Sequence, residues 1–153
     1  MARLVDLSKK PYNLNPNQIE WVESTIKGMT DEEKVGQLFT NLFFFGGDAF
    51  SGNNLSNKEI LETYHIGGVR YMNGSPEDVQ GLINDLQSQT KIPLLVAANC
   101  DSGGDGAVKG GTYISSGAQS EASRDTWAPY HAGLVSAREE TALGVNVNFD
   151  PCV

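Results

Sequence analysis

The sequence predicts an α/β fold of parallel βα units, and three observations carry that reading. Helical periodicity and short apolar runs alternate four times along the chain. The run Ile92 to Ala98 has no alternating polar positions, which is how a strand covered on both faces reads. Ser/Thr-x-x-Glu capping boxes stand where two of the helices must begin. Alternation of this kind implies parallel strands joined by right-handed crossovers.

Each element follows in turn. Residues 1–15 read as an N-terminal arm lying on the surface, broken by Pro11 and closed by Pro16. Asn17 to Met29 carries Ile19, Trp21, Val22 and Ile26 at spacings near three and four, the stripe of an amphipathic helix. Thr30 and Glu33 form a capping box for a short helix that Gly36 ends. Gln37 to Phe45 is apolar and aromatic and predicts the first buried strand, with Gly46 to Asn54 as the loop at its C-terminal end.

A second unit uses the same devices. Ser56 with Glu59 caps a helix that His65 closes, and Ile66 to Met72 predicts the second strand. Ser75-Pro76 opens a helix whose stripe is Val79, Leu82, Ile83 and Leu86, with Asp78 favoured by the N-terminal dipole. Ile92 to Ala98 is the third strand. A long helix spans Asp125 to Leu143 up to Gly144, and Val145 to Phe149 is the fourth strand.

Composition restricts what such a fold does. A chain of 153 residues with 39% hydrophobic residues buries one core, so a single domain is expected. The formal net charge of −8 argues against nucleic acid or an anionic membrane surface as the main partner, because both demand clustered Lys and Arg. No apolar run reaches the roughly 20 residues that span a bilayer, and the N-terminus lacks a secretory h-region. The expected location is therefore cytoplasmic. Cys100 and Cys152 are too few for a disulfide framework and have no metal-ligand spacing.

The candidate site is the loop after the third strand, Asn99-Cys100-Asp101-Ser102-Gly103-Gly104-Asp105-Gly106. Polar groups at the carboxyl end of a buried parallel strand are where α/β folds place ligands. The glycines lack the Gly-Lys-Ser/Thr ending of a phosphate-binding loop, and the aspartates lack the ligand spacing and closing Glu of a calcium loop. No metal or cofactor is expected. Ser102, Ser115 and Ser116 fit no nucleophile elbow, and Cys100 reads as a small buried hydrophobe. His65 and His131 have helix-terminal and helix-surface explanations, and Glu121, Asp125, Glu139 and Glu140 read as solvated faces and caps. Asp101 stands apart, since a charge directly after a buried strand is costly without a partner or ligand.

Several of these segments carry a resemblance. Gly28-Met29-Thr30-Asp31-Glu32-Glu33-Lys34-Val35-Gly36-Gln37-Leu38-Phe39 resembles the opening signature of the family 3 glycoside hydrolases. Ile66-Gly67-Gly68-Val69 resembles the family's second strand, Ile92-Pro93-Leu94-Leu95-Val96-Ala97 its third, and Ala142-Leu143-Gly144-Val145-Asn146-Val147-Asn148-Phe149 with Pro151 its fourth. The resemblance implies half of a TIM (β/α)8 barrel with four strands over residues 16–153, since a full barrel takes about 250 residues. It also implies retaining hydrolysis of β-linked glucosides or N-acetylglucosaminides through a carboxylate nucleophile.

By position after the strand, Asn99 matches the family's sugar-binding Asp and Asp101 its Glu, with one extra residue before the glycines. Asn99, Asp101 and Asp105 are the substrate-binding candidates. The family's Lys-His stretch, acid/base and nucleophilic Asp lie in later strands, so no catalytic residue is assigned and the chain alone is expected to be inactive. The partners expected are a carbohydrate and either the missing barrel half or a second copy, because two bare edges and an apolar inner face, lined from Phe43 to Phe45 and Leu94 to Val96, invite self-association. Two other readings stay open, a stand-alone α/β module that binds a small polar ligand and a structural half-barrel that completes itself by pairing.

Overall fold

Four parallel strands, hydrogen-bonded in sequence order β1-β2-β3-β4, form the sheet in a computed structural model that describes residues 5–43 and 55–150. Helix α1 (Pro16–Gly28) and helix α2 (Asp31–Gly36) precede β1 (Thr40–Phe43). Helix α3 (Asn57–Tyr64), β2 (Gly68–Tyr71), α4 (Pro76–Ser88) and β3 (Leu95–Ala98) follow. A 3-10 turn (Gly104–Gly106), α5 (Gly117–Ser123), α6 (Trp127–Leu143) and β4 (Val147–Asn148) complete the order. Consecutive parallel neighbours with helices in every crossover make this half of a (β/α)8 barrel, with β1 and β4 at its edges.

Local chemistry sets where the helices start. Thr30 Oγ1 accepts from Glu33 N and Glu33 Oε2 accepts from Thr30 N, and Ser56 with Glu59 repeats the arrangement. Each box satisfies amides that the helix leaves unpaired, for about 1 kcal/mol. Ser75 Oγ caps α4 by accepting from Asp78 N, with Pro76 in the first turn. Two further boxes appear, Asn15 with Gln18 at α1 and Ser116 with Gln119 at α5.

The strands are shorter than the apolar runs. Leu38 N and Phe39 N donate to Val35 O and Gly36 O, so these residues continue the last turn of α2 and β1 begins only at Thr40. Leu94 N and O are taken by the Gln87 side chain, which leaves Leu95 as the first residue of β3 to bond to β2's approach at Gly67 O. Just before β4 the side chain of Asn146 bonds Val96 N and Leu94 O, beside the backbone bond from Asn146 N to Val96 O.

One core lies between the sheet and the helices. Phe43, Val69 and Val96 contribute from alternate strand positions, and Val79, Ile83 and Leu86 form the buried stripe of α4. Each fully buried aliphatic side chain is worth about 1.5–3 kcal/mol. By alternation Thr40, Leu42, Gly68, Arg70, Leu95 and Ala97 lie on the opposite, inner face. The expected inner lining is thereby corrected: Phe43, Leu94 and Val96 are buried on the helix side, Leu95 is 55% exposed, and Phe45 lies outside the described residues with the loop Gly46 to Asn54. The stripe of α1 also differs from expectation, since Trp21 and Ile26 are half exposed and no residue of that helix is buried.

Candidate functional site

The loop leaving β3 is fastened from three sides. From β2 and the segment just after it, Arg70 Nε donates to Asn99 Oδ1 at 2.7 Å, Tyr71 Oη donates to Ala107 O at 2.9 Å, and Asn73 Nδ2 donates to Asp105 O at 2.7 Å. From α6, Glu139 accepts from Thr112 N at 2.9 Å and from the Thr112 hydroxyl. From the end of β4, Asp150 accepts from Cys100 N. A loop held by this many bonds presents its polar groups in a fixed arrangement, which is what a binding site needs.

The glycines of the loop serve packing. A Cβ on Gly106 would meet the backbone of Asn99 and Cys100, and one on Gly104 would meet the Glu139 side chain. Their absence lets the 3-10 turn fold back against the end of β3, so Asp105 and Asn99 come from opposite arms of one hairpin-like return. No helix starts at Gly110 or Gly111, as expected of a sequence without a phosphate-loop ending.

Asn99 is half-buried, with Oδ1 committed to Arg70 and its amide nitrogen left to donate. Asp101 is exposed, which corrects the expectation that its charge needs a partner to offset burial. Asp105 is half-buried, and its backbone carbonyl is the group held by Asn73.

Of two carboxylates read as solvated, Glu140 is buried and Glu139 is half-exposed but bonded to the loop. Glu140 is 5% exposed and packs against the buried Cys100 thiol, while Glu139 anchors Thr112. Both reach the β3 loop because α6 packs over its 3-10 turn here. Burial raises the Glu140 pKa, with the hydrogen bond to Cys100 acting in the opposite sense. Burial first, then the adjoining Glu140, pushes the Cys100 thiol up, so it stays neutral and unreactive. Tyr71 is likewise held neutral by burial and serves as a donor. Asp150 is pushed up to about 6, first by burial and then by hydrogen-bond contact with Asp101, against the lowering effect of the Cys100 amide.

Sequence reasoning passed over Arg70, Asn73 and Asp150. Arg70 carried a signal, a lone charge inside the apolar run Ile66 to Met72. Asp150 carried none, because its partner Cys100 lies fifty residues away. A separate cavity of about 680 Å³ is lined by α2, β1 and α3, including Val35, Phe39, Ile60 and Tyr64. Its wall is apolar and it approaches the N-terminal ends of β1 and β2, the end of a parallel barrel that serves stability rather than ligands. Among the described residues, no helix is long and apolar enough to cross a membrane. Cys152 lies outside the described residues.

Known proteins match this arrangement over most of the chain. The family model described as glycosyl hydrolase family 3 N terminal domain matches residues 30–153. A Beta-N-acetylglucosaminidase/beta-glucosidase of Cellulomonas fimi is 31% identical over 150 residues, covering 98% of this chain and 26% of the relative. The solved structure of Beta-glucoside phosphorylase BglX bound to 2FGlc superposes with a TM-score of 0.82 at 33% identity, covering 95% of this chain and 25% of that one. A second structure of Beta-glucoside phosphorylase BglX gives a TM-score of 0.80 at 33% identity. The chain thus spans about a quarter of the length of the relatives it matches.

Proposed function

Because the chain belongs to glycosyl hydrolase family 3 through that family's N-terminal domain, we propose that it supplies the sugar-holding half of a β-glucosidase or N-acetylglucosaminidase-type site. The observation that carries this reading is the β3 loop, pinned by Arg70, Asn73 and Glu139, with Asn99 and Asp101 at the carboxyl ends of the strands. The Asn99 amide nitrogen donates to a sugar hydroxyl, and the exposed Asp101 carboxylate accepts from a neighbouring one. Asp105 supports the return of the loop beside them. In such an enzyme the glycosyl group is transferred to water or, as in the phosphorylases it resembles, to phosphate.

The same reading holds that this chain alone does not turn glycosides over. Retaining hydrolysis needs two carboxyl groups about 5–5.5 Å apart, flanking the scissile bond. Among the described residues, Asp150 is half-buried and accepts from the Cys100 amide, and Glu140 is buried behind Cys100, so neither is offered to a glycosidic oxygen opposite Asp101. The test is release of nitrophenol from the β-glucoside and β-N-acetylglucosaminide, with and without phosphate. No release is expected. Robust turnover abolished by Asp101→Ala would show that the carboxylates present suffice and would contradict this part of the proposal.

A further inference from the structure

Arg70 is a charge where the strand pattern calls for an apolar or small residue. It stands on the inner face of the sheet, in register with Leu42 on β1 and Ala97 on β3, and it is partly buried there. Its Nε is committed to Asn99 Oδ1 at 2.7 Å, which fixes the plane of the guanidinium. The ion pairs among the described residues join Lys9 to Asp6, Lys34 to Asp31 and Lys58 to Glu62, and none involves Arg70. Among the described residues, its two terminal nitrogens have neither a hydrogen-bond acceptor nor an ion-pair partner. A partly buried guanidinium without a counter-charge is costly, and its planar fork matches an oxyanion in bidentate geometry.

We infer that Arg70, oriented by Asn99, is an oxyanion-recognising group of this site, and that the oxyanion it takes is inorganic phosphate. The inference rests on the proposed glycosyl-transfer site and adds to it the place where the phosphate acceptor is held. The alternative occupant, a carboxylate, presents two oxygens in one plane. Phosphate has a third and fourth oxygen to offer to a further donor, and the Asn99 side chain that holds Arg70 carries one in its amide nitrogen. Asp101, exposed on the same loop, opposes an anion, so binding is weak, in the millimolar range. The rest of the chain's negative charge is largely screened beyond a Debye length of about 8 Å.

The experiment is a titration of the isotopically labelled chain with inorganic phosphate at constant ionic strength, following the Arg70 Nε–H and Asn99 side-chain amide resonances. Saturable shifts are expected at both. Arg70→Gln should weaken the apparent affinity about tenfold, and Arg70→Lys, which keeps the charge without the fork, should fall between. An unchanged spectrum elsewhere shows that each variant is folded. Absence of a saturable shift, an equal response in Arg70→Gln, or saturation by acetate at lower concentration than by phosphate would overturn the assignment. A parallel glucose titration separates this from the site itself. Sugar shifts at Asn99 to Gly106 with phosphate silent would overturn the phosphate assignment and leave the sugar site standing. Phosphate saturation with sugar silent would support the assignment and count against the sugar reading.

Discussion

The amide of Thr112 donates to Glu139 Oε2 over 2.9 Å, so the return arm of the β3 loop hangs from the penultimate turn of α6. The Thr112 hydroxyl bonds the other oxygen of the same carboxylate. Glu139→Ala removes both acceptors, and two hydrogen bonds to a charged group at a half-exposed site should cost about 1–2 kcal/mol. Urea denaturation measures the loss. Faster hydrogen exchange at Thr112, with α4 amides unchanged, would place it in this loop.

The packing of the turn predicts an order between two substitutions. At Gly106 a methyl group meets the fixed backbone of Asn99, whereas at Gly104 it meets the movable end of Glu139. Gly106→Ala should therefore cost about 1–3 kcal/mol by overpacking, and Gly104→Ala less. Equal midpoints in denaturant would contradict this account of the loop.

Stability should fall as pH rises from about 4 to about 6. Asp150 has a folded pKa near 6 against an unfolded value of about 3.9, so the folded state binds more protons in that window. Its contribution is fully present below the unfolded value and lost as pH passes the folded one. Because Asp150 is only partly buried, solvent screening limits the effect to about 1 kcal/mol. Burial acts on Glu140 in the same direction. Asp150→Asn should flatten the profile over this window, and an unaltered pH dependence in that variant would contradict the assignment.

Assembly follows from the surfaces the half-barrel leaves. The β1 and β4 edges have no further strand among the described residues, Leu95 opens the inner face, and Leu38 and Phe39 stand 84% and 59% exposed beside the apolar cavity. Bare edges and apolar patches of this kind favour association. We predict a homodimer or larger species in sedimentation, shifted toward monomer by a Leu38→Ser, Phe39→Ser double variant. A sharp, well-folded monomer near 16.5 kDa would count against this.

Much of the fold was legible because its signals are local. Ser56-x-x-Glu59, Thr30-x-x-Glu33 and Ser75-Pro76 each specify a helix start within four residues, and the stripe of α4 is buried at all four expected positions. The box Ser116-x-x-Gln119 was equally readable, and it heralds α5, which the expected order lacked. Strand ends were not legible, because side-chain bonds formed on folding decide them: Gln87 takes Leu94 so that β3 begins at Leu95, and the Asn146 side chain takes Val96 N before β4 begins. The site divides the same way. Asn99, Asp101 and Asp105 sit on one loop and could be read together from the sequence. Arg70, Glu140 and Asp150 join it only through folding, from separations of 29, 40 and 50 residues to Asn99 or Cys100.

The most direct test of the central claim is an amide-resolved titration with glucose and N-acetylglucosamine. A subsite open to water on one side should bind at best in the millimolar range, about 4 kcal/mol, and should shift the resonances of Asn99 to Gly106. Asp101→Ala should weaken that response. Shifts confined to α1, α2 or α3, with the β3 loop unmoved, would place the ligand elsewhere and contradict the account.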